Sequence, residues 1–192
     1  MITTNGRGPR ASRPSRRTLW IFGGIAAGVI LISAVLGTVL ALEGVGVPSR
    51  AEPLPGLITG PAPWGPNTDD LRARLDRLGQ PLVPNVGRPS SLHLALFVDG
   101  KRIRIPAGVG VQPKSGSVAP LHTGVHGGVS LAPGGTRRLG LFFEIWGLRF
   151  TKSCLGGYCG KLSVVVNGAS VPGNPRSLIL RHGQRIVVSV QR

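Results

Sequence analysis

The sequence predicts an α+β protein with a single N-terminal transmembrane helix, a Pro/Gly-rich linker and one small extracytoplasmic domain. Three observations carry that prediction. Leu19 to Leu42 runs without a charged residue. Residues 44–67 hold six prolines and five glycines. From Leu92 onward, short apolar runs are punctuated by Asp99-Gly100 and Asn167-Gly168, dipeptides of tight hairpin turns, around one apolar stretch of helical length. A length of 192 residues allows one domain with appendages. The 30 glycines and 17 prolines leave too much loop for the whole chain to be packed core.

Residues 1–18 form a basic tail on the cytoplasmic side. Arg7, Arg10, Arg13, Arg16 and Arg17 stand there with no acid, a composition suited to anionic headgroups rather than to a fold. Residues 19–42 are the transmembrane helix, since a bilayer core needs about 20 apolar residues. The basic flank sets the orientation, with the N-terminus in the cytoplasm and residues 43 onward outside the cell. A cleaved signal peptide shares the basic start, but its apolar region runs about 7–15 residues. Val39-x-Ala41 offers a small-residue pattern for cleavage; the expectation is an uncleaved anchor in the cell membrane. Gly24-x-x-x-Gly28 has the spacing at which two membrane helices approach closely, so a homodimer through Gly24 and Gly28 is one partner reading and a chance match the other.

Residues 43–67 are expected to be a semi-extended spacer that lifts the domain off the membrane, because so Pro- and Gly-rich a stretch buries little apolar surface. Residues 68–79 carry a short amphipathic helix. Thr68 is placed to cap it, Asp69 and Asp70 favour its positive end, and Gly79 stops it. Leu71, Leu75 and Leu78 form one stripe that should dock on the following domain, residues 80–192. That domain starts with a second short linker, "QPLVPNVGRPSS". A hairpin is expected around Asp99-Gly100, with Arg102, Ile103, Arg104 and Ile105 alternating after the turn. Residues 111–138, rich in Gly, Pro, Ser and Thr, read as a long loop. "LGLFFEIWGL", Leu139 to Leu148, is apolar enough for a buried helix, with a strand as the alternative. "KLSVVVNGASVPG" gives a strand and a turn. "SLILRHGQRIVVSVQ" gives one or two final strands bent at His182-Gly183.

The order of hairpin, helix and strands, with "VVVNGASV" followed by "LILRHGQRIVVSV", resembles the β-grasp, ubiquitin-like folds. In sulfur-carrier members a strand ending in V-N-G is likewise followed by one of L-x-x-G-D-x-I type. The carriers' terminal Gly-Gly is absent, since the chain ends in "SVQR", so carrier chemistry is not implied. A small β-sandwich or barrel is the alternative fold. Over residues 70–192, "LFVDGKRIRIPAGVGV", "PLHT", "LGLFFEIWG", "RFTKSCLGGYC" and "VVVNG" with "PRSLIL" together resemble a family of actinobacterial membrane-anchored or secreted proteins. That resemblance implies an envelope address and no particular reaction. Members carry an H-x-H pair before the first strand, His-Thr-His-Asp in the loop, and a further His and Glu just after. Of these the chain keeps His93, His122 and Thr123. Ser91 stands two positions before His93, Gly124 and Val125 replace the His-Asp, and "VSLAP" has neither His nor Glu. A metal constellation in the relatives would have lost most of its ligands here.

The candidate chemistry is sparse. A zinc or copper site needs three or four converging N, S or O ligands. His122 and His126 are four apart, but Gly124, Gly127 and Gly128 oppose the helix that would make them converge. The expectation is therefore solvated loop histidines and no cofactor, with a Zn or Cu site of His93, His122 and His126 as the alternative. Cys154 and Cys159 are the only thiols. An even pair outside the membrane, closing a loop with two central glycines, fits a disulfide. A redox pair usually has the tighter C-x-x-C spacing.

No enzyme is expected. A sortase-like transpeptidase shares the address, but here the second Cys ties up the nucleophile. An L,D-transpeptidase needs S-x-G-C-x-R, which is missing. After Asp76 only Asp99 and Glu144 remain, too few for paired-carboxylate or Ser-His-Asp chemistry. Charge is the remaining signal. The chain carries 23 Lys and Arg against 7 Asp and Glu, a net +16. Such a surface favours an anionic envelope polymer, lipid headgroups or an acidic protein. Nucleic acid is not expected, because the single Tyr158 and the scattered Phe and Trp do not interleave with basic residues. The functional expectation is a non-catalytic binding or accessory module at the cell envelope. A metal-binding module and a wall-modifying enzyme are the alternatives.

Overall fold

The computed structural model describes residues 52–85, 90–124, 128–133 and 136–192. The basic tail, residues 19–42 with Gly24 and Gly28, and residues 43–51 lie outside the described residues. Among the described residues no helix is long and apolar enough to cross a membrane. Residues 52–192 carry a mixed α+β fold in which a sheet dominates.

The sheet is organised by β1, Ser90–Val98. Its buried residues Leu92, Leu96 and Val98 alternate with Ser91, His93, Ala95 and Phe97, so one face of the strand is inward and apolar. Asp99 (φ 47°) and Gly100 (φ 77°) then turn the chain with both central residues left-handed, a geometry Asp-Gly tolerates well. They lead into β2, Lys101–Ile103, antiparallel to the end of β1. β3, Leu121–Thr123, pairs with β4, Val129–Leu131, and β4 with the start of β1, all antiparallel. β5, Cys154–Leu155, and β6, Tyr158–Cys159, make a separate two-stranded ribbon. β7, Lys161–Val166, turns through Asn167 (φ 50°) and Gly168 (φ 88°) into β8, Ala169–Ser170. β9, Arg185–Gln191, lies between β1, to which it is parallel, and β7, to which it is antiparallel. The order across the sheet is β3-β4-β1-β9-β7-β8, with β2 beside the second part of β1.

Two helices supply much of the core. α1, Leu71–Leu78, ends at Gly79 (φ 62°), whose N–H and that of Gln80 close on Asp76 and Leu75. Leu71 and Leu75 are buried and Leu78 packs at the edge of the core, so the leucine stripe docks as expected. The start differs: Asp70 occupies the cap position, and no side chain caps the helix. α2, Leu139–Trp146, is the helix expected from "LGLFFEIWGL". Seven of its eight residues are buried, and Glu144 is the exception. Its first N–H is taken by the Leu178 carbonyl. Gly147 (φ 71°) ends it, with Leu148 N–H closing on Phe143.

Two expectations are corrected. Residues 52–67 are not a spacer; they form a strap on the domain. Trp64 is only 5% exposed and lies in the main hydrophobic core. Ile58 bridges Leu148 in parallel through Ile58 N–H to Gly147 O (2.7 Å) and Arg149 N–H to Ile58 O (3.0 Å). The Trp146 indole donates to Gly65 O at 2.7 Å. Prolines in the strap leave few backbone donors, and helix side chains meet its carbonyls at Pro53, Pro55, Gly65 and Asn67. Second, residues 111–138 are not one long loop. They contain β3 and β4, every residue of which is buried. Three-residue strands are too short to show an alternating pattern, and their pairing comes from distant chain: Thr123 exchanges backbone bonds with Gly108 and Val109. In the second linker Val83 and Val118 exchange both backbone bonds, at 2.9 and 2.8 Å.

Candidate functional site

Alternation along the strands gives the sheet an outward face whose middle is apolar and whose ends are basic. On β1 it presents His93, Ala95 and Phe97. In register, Arg185 stands beside His93 and Val187 beside Ala95 on β9, while Arg102 of β2 stands beside Phe97. Val165 of β7 extends the apolar row next to Val187. His93, Arg102 and Arg185 are exposed; Ala95, Phe97, Val165 and Val187 are half-buried. A groove of about 320 Å³ runs along this face, lined by these β1, β2 and β9 residues. No strand residue on the face is acidic. The nearest acid in the chain path, Asp99, is occupied: Arg192 donates to it from Nε (2.8 Å), Nη2 (2.7 Å) and its backbone N–H (2.9 Å). Those bonds hold the Asp99 carboxyl below its ordinary range.

The three described histidines fall in different settings. His93 is on the basic face. His182 Nδ1 accepts from Ser91 N–H at 3.2 Å, at the turn entering β9. His122 is not a solvated loop residue: it lies in β3 and is 3% exposed. It shares a row with Ser130 and Ser91 across β3, β4 and β1. Its Nδ1 is 3.2 Å from the Ala119 carbonyl, which can only accept, so Nδ1 carries the proton and Nε2 is left as the acceptor. Burial pushes the His122 pKa down, with the Ala119 carbonyl opposing, which keeps the ring neutral at pH 7. A second groove, of about 610 Å³, is lined by His122, Thr123, Ser130, Asn85, Gly108 and Val111. The row holds no carboxylate to complete a Ser-His-acid set.

The structure does not bring the expected metal candidates together. His93 and His122 sit on strands separated by β4, and His126 lies outside the described residues. Among the described residues no group of three or more His, Cys, Asp or Glu side chains is placed to hold a metal ion.

Because His122 binds protons less readily folded than unfolded, it adds a pH dependence of known sign. Its full contribution is present above the ordinary value of 6.5 and is lost as pH falls below it. Unfolding midpoints measured from about pH 7.5 to 5 should therefore drop on the acid side. His122→Asn, which keeps a donor toward Ala119, should flatten that slope. Equal slopes in both proteins would refute the assignment.

Cys154 and Cys159 form the expected disulfide, pairing in register across β5 and β6. The Arg149 guanidinium donates to Gly156 O (2.7 Å) and to Cys159 Sγ (3.3 Å). Gly156 and Gly157 make the ribbon tip, and a Cβ on Gly157 would come within 2.7 Å of the Gly60 backbone. The strap thus lies directly on the tip, and Tyr158 Oη accepts from Ala62 N–H at 3.2 Å. Reduction should lower stability by about 2 kcal/mol for so short a ring. Thiol alkylation without reductant should label neither cysteine.

Sequence reasoning missed the basic face as a unit, the strap and the buried Arg74. The alternation of "RIRI" signalled one edge of the face, but Arg185 reaches His93 only through the parallel β1–β9 pairing. Comparison with family models, with curated proteins and with solved structures gives no match to this chain.

Proposed function

We propose that the chain is a membrane-anchored, non-catalytic binding module of the cell envelope, with its basic sheet face as the binding surface. The observation that carries the reading is the concentration of His93, Arg102 and Arg185 around Ala95, Phe97 and Val187, with no acid among the strand residues of that face. Exposed arginines present forked donors suited to carboxylate and phosphate, so the partner is anionic, an envelope polymer or an acidic protein. The uncharged stretch 19–42 and the basic tail support the anchor and its orientation. The domain is β-grasp-like in this reading. Support comes from the order hairpin, helix, strand, strand, with the first strand parallel to the last and the last between the first and β7.

The full-length protein in phosphatidylcholine nanodiscs should be retained on immobilised polyanion, and about 0.5 M salt should release it. Arg102→Glu with Arg185→Glu should abolish retention while leaving the melting curve intact, because both side chains are solvent-exposed. Unchanged retention of the double variant would remove the face from the proposal. Failure of the chain to enter the discs would remove the anchor.

A further inference from the structure

The spacing on the basic face specifies more than a negative partner. His93, Ala95 and Phe97 are alternate residues of one strand, so their side chains point the same way at intervals of two. Arg185, on β9, supplies the positive end beside His93, and Arg102, on β2, supplies the one beside Phe97. The two basic ends are four residues apart, about 13 Å at about 3.3 Å per residue. Between them lies the apolar row of Ala95, Val187 and Val165, half-buried and without a polar side chain.

A uniformly charged polymer laid along this groove would place anionic groups over Ala95 and Val187 and strip their water with nothing to pair them. An extended peptide avoids that cost. Its own alternate residues repeat at the same interval, so an acid, an apolar residue and a second acid at positions i, i+2 and i+4 meet the basic, apolar and basic sections in turn. The geometry points to an extended acidic peptide segment of pattern acid-x-apolar-x-acid, supplied by a partner protein, as the occupant of the groove along β1. This rests on the reading of the face as the binding surface and names which anionic partner it takes.

The test uses the full-length protein in phosphatidylcholine nanodiscs and three fluorescent probes. One is a peptide with the core Asp-Ala-Leu-Ala-Asp. The second has the same composition with its two acids adjacent. The third is polyphosphate. The ordered peptide should bind about tenfold more tightly than the rearranged one, the discrimination of one charge-assisted contact kept or lost. Arg102→Gln and Arg185→Gln should each erase that discrimination, and Phe97→Ala should weaken the ordered peptide while leaving polyphosphate binding unchanged. Circular dichroism and the melting temperature of each variant establish that it is folded. Equal binding of the two peptides overturns the peptide register but leaves the anionic surface standing. Polyphosphate that binds and is not displaced by the ordered peptide assigns the face to a polymer instead. If none of the three binds, both the register and the binding surface are wrong.

Discussion

Replacing Arg74 by methionine is expected to lower the stability of the domain by about 3 kcal/mol, more than any other single charge change in it. Arg74 is 0% exposed, on a helix whose sequence reads as amphipathic with an arginine at that turn. Its guanidinium fork donates to three carbonyls: Ile145 O (3.2 Å), Pro55 O (3.1 Å) and Asn67 O. Ile145 O lies in the last turn of α2, where the helix carbonyls are unsatisfied and the dipole is negative, so one cation closes that end. The other two carbonyls belong to the strap. Burial lowers the Arg74 pKa while the Asp70 charge raises it, and a guanidinium stays protonated through such a shift. Methionine keeps the apolar stem and leaves the three acceptors without their donor. Arg74→Lys keeps the charge but not the fork, and should recover only a minor part of the loss. Chemical unfolding followed by near-UV circular dichroism measures both. A methionine variant within about 0.5 kcal/mol of the parent would mean that water replaces the guanidinium at all three carbonyls.

Trp64→Ala should cost about 3–5 kcal/mol, the range for losing a large buried aromatic. Trp64 packs edge-on against Trp146, with ring centroids 6.0 Å apart and planes at 86°, and against Tyr158 at 6.1 Å and 67°. Its indole N–H is used locally, donating to Gly60 O at 3.1 Å. A Cβ on Gly156 would overlap the same ring, and Gly156 has φ 55°. The substitution should therefore do more than destabilise. It should free residues 52–67 from the ribbon tip, so that a protease cuts within the strap faster than within the sheet. Equal protection of the strap in the parent and the variant would show that Arg74 and the Ile58 bridge hold it alone.

These two residues mark where the sequence was legible and where it was not. The hairpin turns were readable because Asp99-Gly100 and Asn167-Gly168 adopt left-handed geometry that few other pairs accept. "LGLFFEIWGL" was readable as a helix because Glu144 is its only charged residue and a glycine ends it, and the Cys pair because its ring is local. The strap was misread because Pro and Gly content reports how little a segment can bury alone; it does not report what a neighbour can bury for it. Trp64 was the one available signal, a large aromatic in a stretch read as linker. Arg74 sits one position before Leu75 of the stripe, and nothing in its local sequence says that three distant carbonyls await it. β3 and β4 were hidden by their length. His122 was read as exposed because glycines surround it, whereas residues 106–111 pack on its strand from elsewhere: a Cβ on Gly110 would lie 3.2 Å from His122 Cβ, and the neighbouring Thr123 Oγ1 donates to Pro106 O at 2.8 Å.

The position of β9 has a consequence for the order of events during synthesis. Among the described strands it comes last in sequence, yet it lies in the interior of the sheet, bonded to β1 on one side and β7 on the other. Until residues 185–191 are free to enter, β1 and β7 each offer an open hydrogen-bonding edge, and their apolar faces have no partner between them. A chain emerging N-terminus first can close its hairpins and α2 early, but the sheet joins only once residues 185–191 have emerged. Until then the domain is a good substrate for chaperones that hold an extended chain. Any product shortened before Arg185 should be cleared as an unfolded chain and should not persist as a weakened one.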